Sequence, residues 1–544
     1  MGREINIDSI EVLEEQVKQH ERAIIKLKRS RNSLLNVSTL PPEILGNIFR
    51  WNVTLKGDFG GLEEGSHNFV LVCHHWFEVA SRTPELWTFW GNSLDDWEER
   101  YLHSSVGAPL DLVLVMDKLE YLPMPDLITE SHRVVLADRA ARNTIRRVHL
   151  WADTDHLLAS IISPLLSPRG GLRIDNLVSL VLRTDGVRPM DVSFFAHSRL
   201  PKLQQLRLFN WTISSWDHLA SQTTLLATLT LFPHNVAPTP TMPQLLSILG
   251  SYPHLQALSL NAHAIPHNDS DEPSRQVSLP HLEELQLNER GDVTRVFGLL
   301  RRLELPNRMD MLFIDLHRCA AEDIPQTIGP YLRDYVRRRG RSPKGLGISL
   351  SSHCFISFGA GDVGELHPST SRSERMAAFL YLNICHQQPL PDDVRDQLAL
   401  DLIAYIPREE IAYFRTRERL AAVKDLPVRM PNLKALDFQA IPLYPTFSVV
   451  LDSPDGSQVE EVIPSTVKHL FLGNLILNGY DWVHLIAFLT RRVSAGNWLG
   501  SLRIDGPCHM CEEVSAGVRG VVGRLEIEDG CLESWCPYGS CLPG

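Results

Sequence analysis

Leu203-Gln204-Gln205-Leu206-Arg207-Leu208 recurs with small changes along this 544-residue chain, and its spacing decides the architecture. The same Leu-x-x-Leu-x-Leu template stands at Leu177/Leu180/Leu182, Leu226/Leu229/Leu231, Leu255/Leu258/Leu260, Leu282/Leu285/Leu287 and Met309/Leu312/Ile314. From Leu177 onward the starts lie 26, 23, 29, 27 and 27 residues apart. The closing Leu-x-Leu puts two apolar side chains on one face of an extended chain, which predicts a short, half-buried strand. Pro201, Pro253, Pro280 and later Pro431 stand two places before the first apolar residue, where proline sets the approach to a strand without removing an interior ladder donor. A unit of this size buries too little apolar surface to stand alone, so the copies must stack on one another.

The template resumes as Leu433/Leu436/Phe438, Val467/Leu470/Leu472, Leu499/Leu502/Ile504 and Val522/Leu525/Ile527, and Ile145/Val148/Leu150 fits as a first copy. Between the two sets, Ile324 to Val423 breaks the period. Leu346–Leu350 and Phe355–Phe358 read as strands, Met376–Ile384 and Val394–Tyr405 as helical runs, and Gly359–Gly364 with Ser369–Ser373 as loop. Two arrangements stay open here: long insertions in one stack, or two repeat blocks joined by a different element. Template and period resemble those of leucine-rich repeats. The resemblance implies a curved, irregular solenoid. Its target-reading residues would be Arg183, Gln205, Arg207, Phe209, Thr230, Phe232, Asn261, Glu284, Gln286 and Asn288, outward beside the buried pairs. This set is mixed and mildly polar, without the clustered arginines of a phosphopeptide pocket.

Ahead of the repeats, Leu40-Pro41-Pro42-Glu43-Ile44-Leu45-Gly46-Asn47-Ile48-Phe49 reads as the opening of a helix. Ser38 or Thr39 can cap it, the prolines fit a first turn whose amides are unpaired anyway, and Glu43 suits the positive helix end. Phe69, Val72, Cys73, Trp76, Phe77 and Ala80 repeat helical spacing before Pro84 stops it, and Leu86-Trp87 follow. Two short apolar helices in about fifty residues enclose little core of their own, so the unit reads as half of an interface.

In order, Leu-Pro-Pro-Glu-Ile-Leu-x-x-Ile-Phe, Val-Cys-x-x-Trp and Leu-Trp resemble the F-box, the segment that docks a substrate receptor onto the Skp-family adaptor of a cullin–RING ubiquitin ligase. The resemblance implies that Leu40, Pro41, Pro42, Ile44, Leu45, Ile48, Phe49, Val72, Cys73, Trp76, Leu86 and Trp87 form the adaptor-facing and supporting surface. The departure is the linker Arg50–Asn68, several residues longer than in the compact family form, which reads as a surface loop.

Still closer to the amino terminus, Ile10, Leu13, Val17, His20, Ile24, Leu27, Arg31 and Leu34 alternate three and four residues apart, with Glu11, Glu14, Glu15, Lys18, Lys26 and Lys28 around them. Residues 10–34 are either a helix that pairs with itself or a partner, or one folded back on its own chain.

Composition narrows the function. An apolar content of 44% is ordinary for a globular chain, and a net charge of −12 argues against nucleic acid or an anionic membrane surface as the main partner. Met1-Gly2-Arg3-Glu4-Ile5-Asn6 lacks an apolar signal region, and no run approaches the roughly 18–20 apolar residues of a membrane span. The expected location is therefore cytoplasmic, nuclear or both, with the nine cysteines mostly reduced. There is no Gly-x-Ser-x-Gly elbow, Gly-Lys-Ser/Thr phosphate loop or His-Glu-x-x-His. Gly359-x-Gly361-x-x-Gly364 is followed by Glu365-Leu366-His367-Pro368 rather than an apolar helix, so it reads as a turn and not a dinucleotide site. Cys508 and Cys511, with Cys531, Cys536 and Cys541, offer thiolates but no second Cys-x-x-Cys, and they read as packing or surface thiols rather than a zinc site. Arg337-Arg338-Arg339-Gly340-Arg341 reads as the solvated end of a helix.

The expectation is an α/β chain: an amphipathic helix (1–37), a small helical F-box (38–92), a leucine-rich-repeat-like block (100–320), an insertion or irregular repeats (321–425), a second such block (426–530) and a Cys-containing tail (531–544). The resemblances imply a non-catalytic receptor that joins a Skp-family adaptor and cullin–RING ligase to a target protein, without cofactor or metal. The alternative is a leucine-rich-repeat interaction scaffold outside any ligase.

Overall fold

The computed structural model describes residues 7–35, 40–54, 68–90, 105, 107–116, 130–152, 161–166, 174–184, 190–267 (save 214, 222, 223 and 236), 276–319 (save 307, 308 and 310), 323–339, 345–349, 353–359, 378–385, 392–416 (save 407, 408 and 410), 430–439, 463–473, 479–505 and 512–527. They form a mixed α/β structure whose sheets are built largely from parallel strands. Two compact units divide the chain: Met1–Leu226 with Pro233–Ala237, and Ala227–Phe232 with Pro238–Gly544.

The first unit opens with helices α1 (Ile7–Ser33), α2 (Pro42–Thr54) and α3 (His74–Ser81). Strands β1 (Phe89–Trp90) and β2 (Leu110–Met116), helix α4 (Glu130–Ala141), and strands β3 (Ile145–Ala152), β4 (Ser179–Thr184), β5 (Met190–Asp191) and β6 (Gln205–Thr212) follow. The strands lie in the order β1, β2, β3, β4, β6, every pair parallel, with β5 on the far end of β6. The ladder thus begins at Phe89, inside the stretch read as F-box, and its second strand precedes the first copy read from the template. Leu110-Asp111-Leu112-Val113-Leu114 lacks the template's opening residue, which is why it escaped notice.

The second unit begins with β7 (Thr228–Pro233), α5 (Met242–Gly250), β8 (Ala257–Leu260), β9 (Val277–Ser278), β10 (Glu284–Arg290), α6 (Val293–Leu300), β11 (Leu303–Glu304) and β12 (Met311–His317). It continues with α7 (Asp323–Arg339), β13 (Gly345–Ser349), β14 (His353–Gly359), β15 (Ala378–Cys385), α8 (Asp392–Ile403), β16 (Tyr413–Thr416), β17 (Ala435–Gln439), β18 (His469–Gly473), α9 (Gly479–Ser494), β19 (Ser501–Asp505), α10 (Glu512–Arg519) and β20 (Leu525–Ile527). Strands β7, β8, β10, β12 and β15 are successive parallel neighbours, as are β13, β16, β17, β18, β19 and β20. Strand β14 joins the two runs, antiparallel to both β13 and β15.

That arrangement settles how the period breaks. The chain leaves β12 through α7, lays down β13 three places away, turns back through β14, and returns as β15 beside β12. Met376–Ile384, expected to be helical, is therefore corrected: Ala378–Cys385 is a strand whose Leu380 and Leu382 stand opposite Leu312 and Ile314. A short apolar run has no periodicity that separates a buried strand from a helix, and here the vacant edge of β12 decides. Val394–Tyr405 is largely helix, as α8, and the two expected strands are β13 and β14.

Register explains the core. Leu258, Leu285 and Leu312 are direct neighbours across β8, β10 and β12, as are Leu260, Leu287 and Ile314, and all six are buried. Four strands are approached through the same turn: the first template residue donates its backbone N–H three residues back, Leu203 to Leu200, Leu255 to Tyr252, Leu282 to Leu279 and Leu433 to Met430. Pro201, Pro253, Pro280 and Pro431 hold the second place of these turns, where a fixed φ near −65° is favoured.

Buried arginines tie adjacent turns of chain together. Arg295 of α6 donates Nη2 to the carbonyls of Ala262 at 2.7 Å and Ile265, Nε to Pro266 O at 3.4 Å, and Nη1 to Glu289 Oε1 at 3.2 Å. Arg492 of α9 donates to the carbonyls of Ile463 at 2.8 Å, Pro464 and Val467 at 3.2 Å, and Asn497 at 3.0 Å. Arg139 of α4 reaches Ser105, with Nη2 on Oγ at 3.0 Å and Nη1 on O at 3.3 Å. Each donates to carbonyls of irregular backbone, two of which, Ser105 O and Pro464 O, also accept from the amides of Ala108 and Val467. Burial pushes the Glu289 carboxyl up to about 7, outweighing the attraction of Arg295.

Candidate functional site

Helix α2 carries more apolar rows than its own unit covers. Leu45 and Phe49 point inward and are at most 1% exposed. The Phe49 ring stacks on Phe69 at 4.5 Å between centroids and lies 5.1 Å from the Trp76 ring. Gly46 lets α2 lie close to the turn after α3: a Cβ there would stand 3.3 Å from Thr83 Oγ1, a hydroxyl already donating to Val79 O at 2.8 Å. Behind α3, the Trp87 indole is fully buried with Nε1 donating to Ala80 O at 2.7 Å, and Leu86 is buried beside it in the sequence.

Facing the other way, Ile44, Ile48 and Trp51 recur four and three residues apart, 47%, 48% and 69% exposed. Leu71 and Val72, at the end of the 3-10 turn Asn68–Leu71, are exposed as well. Pro41 and Pro42 are exposed at the start of α2. Arg50 and Asn47 on the same helix are joined by a 2.6 Å hydrogen bond. This is an aliphatic and aromatic helix row bordered by a few polar groups, suited to burying a groove or helix of another protein.

The twelve residues read as adaptor-facing or supporting thus divide by burial. Pro41, Pro42, Ile44, Ile48 and Val72 are exposed; Leu40, Cys73 and Trp76 are half-buried; Leu45, Phe49, Leu86 and Trp87 are in the core. Cys73 precedes α3 in extended conformation, and the Trp76 Nε1 is buried without a hydrogen-bond partner among the described residues. Sequence reasoning passed over Trp51 and Leu71. Trp51 was within reach, being seven residues beyond Ile44 on the same helical row.

The outward positions on the strands fall in both units. In the first, Arg183 lies over the Trp151 ring at 4.0 Å, in the cross-strand row that continues to Phe209. Gln205 accepts from Ser179 Oγ at 2.6 Å, and Arg207 is half-buried. In the second, Gln286 accepts from Ser259 Oγ at 3.2 Å, while Asn261 closes its own turn by accepting from the amides of His263 and Ala264. Asn288 stands opposite Asp315 with its Oδ1 buried and unpartnered among the described residues. Glu284 is exposed, Phe232 half-buried and Thr230 buried.

Of the remaining motifs, Gly359 closes β14, and Gly361 and Gly364 lie outside the described residues, as do Cys508, Cys511, Cys531, Cys536 and Cys541. Helix α7 ends at Arg339, within the arginine run. Among the described residues no group of His, Cys, Asp and Glu is placed to hold a metal, and no helix is long and apolar enough to cross a membrane. No model of a known protein family matches the chain, and no curated protein matches it.

Proposed function

We propose that this chain is an F-box substrate receptor. Helix α2 and the turn before α3 dock onto a Skp-family adaptor of a cullin–RING ubiquitin ligase, and a leucine-rich-repeat-like solenoid holds a target protein. The observation that carries the reading is the pair Ile44 and Ile48, about half exposed on the very segment whose sequence resembles the F-box. The recurrence of one parallel strand per template copy supports the repeat half of it. The receptor is non-catalytic and acts in the cytoplasm, the nucleus or both. It raises the effective concentration of target beside the ligase and leaves the chemistry to other subunits.

The test is co-purification with a Skp-family adaptor, comparing the intact chain with Ile44→Asp/Ile48→Asp. Each buried aliphatic anchor contributes about 1.5–3 kcal/mol, so losing two weakens adaptor binding by roughly 100-fold or more. Both side chains are half exposed in the free chain, so thermal unfolding should be unchanged. An intact chain that retains no adaptor ends the ligase reading and leaves the repeat-based scaffold.

A further inference from the structure

The amino-terminal helix presents a second, separate surface. From Val12 to Leu35 every side chain except Asn32 is exposed, including Leu13, Val17, Ile24, Leu27 and Leu34 of the heptad seam, at 50–82%. A 27-residue helix, about 40 Å long, with such a seam in water is poorly stabilised by itself, because most helix stability in proteins comes from covering an apolar face.

We infer that α1 pairs with α1 of a second copy of this chain, antiparallel, as a two-stranded coiled coil. Charge distribution fixes both occupant and direction. Asp8, Glu11, Glu14 and Glu15 crowd the first half of the helix and Lys26, Lys28, Arg29 and Arg31 the second. Parallel pairing would set acid beside acid and base beside base. Antiparallel pairing sets each half against its opposite.

The seam then selects a register. Val17 layers on Leu27 of the second copy, and Ile24 on its His20. Leu13 meets the aliphatic stem of Arg31, which can carry its charge to the edge. In this register the flanking Glu14 faces Lys28 of the second copy on both sides of the two-fold axis. Glu21 meets Glu21 of the second copy near that axis, a repulsion that Glu21→Gln would remove, tightening the pair. His20 and Arg31, which interrupt a parallel seam twice as like pairs, are each matched here with an apolar residue. The inference is independent of adaptor docking, which uses α2.

Sedimentation equilibrium of the full-length chain tests it. Intact protein should show twice the 61.5 kDa chain mass at micromolar concentration, and Val17→Asp/Ile24→Asp the single mass. Glu14→Lys should raise the dissociation constant at least about tenfold, and Glu14→Lys/Lys28→Glu should recover it, because the swapped pair re-forms across the axis. In a parallel pair these positions face Ser9 and Ala23, so the single change would do little and the swap would rescue nothing. A monomeric intact chain, which is also the outcome if α1 serves a helix of another protein, overturns the proposal. So does a dimer that survives Val17→Asp/Ile24→Asp, or a Glu14→Lys loss that the double swap leaves unrepaired.

Discussion

Helix α2 and strand β10 are both apolar at regular spacing, yet they differ in what covers them. Leu285 and Leu287 of β10 each have a leucine or isoleucine of a neighbouring strand on either side, and both are sealed from solvent. In α2 the inward residues Leu45 and Phe49 are sealed, Phe49 against Phe69 and Trp76, while Ile44, Ile48 and Trp51 on the other row are exposed. A strand has two faces and alternation commits one of them. A helix can carry two apolar rows, and the row left over beyond what the fold needs marks where another molecule is expected. The same residue types therefore serve stability in one place and recognition in the other.

The contrast can be strained first where the ladder side relies on charge. Arg295→Met should destabilise the second unit by about 3–5 kcal/mol, since it strips donors from three carbonyls and leaves Glu289 buried without its counter-ion. Differential scanning calorimetry at pH 8 would read this, and a loss under 1 kcal/mol would mean that water replaces the guanidinium. Next comes the pair Leu285→Ala and Ile48→Ala. The first should cost about 2–5 kcal/mol by leaving a cavity in a sealed column, the second no more than about 0.5 kcal/mol. Equal losses would erase the distinction drawn above.

The most gradual effect lies in pH. The Glu289 carboxyl is held near 7 in the folded chain against an ordinary 4.5, so between those values the native state binds more proton than the unfolded one. Its stabilising share is complete below about pH 4.5 and is lost as pH rises toward 7, at no more than about 1.4 kcal/mol per unit. Glu289→Gln should flatten that segment of the melting-temperature profile relative to the intact chain. Parallel profiles would show that Glu289 titrates normally.

How much of this was legible depended on whether a feature repeats. The longer parallel strands from Leu177 to Ile314 and from Leu433 to Ile527 were readable because each carries the same template, and at four of them a proline marks a turn that recurs with the same hydrogen bond. Strand β2 lacks the template, and the β13–β14 hairpin interrupts it. The place of β15 beside β12 depends on a long-range pairing that no local pattern encodes. On α2 the sequence listed apolar residues but could not sort Ile48 from Phe49, because burial is decided by Phe69, twenty residues downstream. The buried arginines were invisible for a related reason: an arginine in a helix reads as surface until its carbonyl partners are known.

Those arginines also have a direction. Arg139, Arg295 and Arg492 each reach back toward the amino terminus, to backbone 25 to 34 residues earlier, although Arg492 also donates forward to Asn497. On a ribosome the carbonyls emerge first and their donor follows about 1–7 seconds later, so each loop waits for the next turn of chain before it closes. At these three places a later segment latches an earlier one. The corollary concerns shortened chains. One ending before Arg492 would lose more than what was cut off, because the loop at Ile463–Val467 would be left with its carbonyls unlatched.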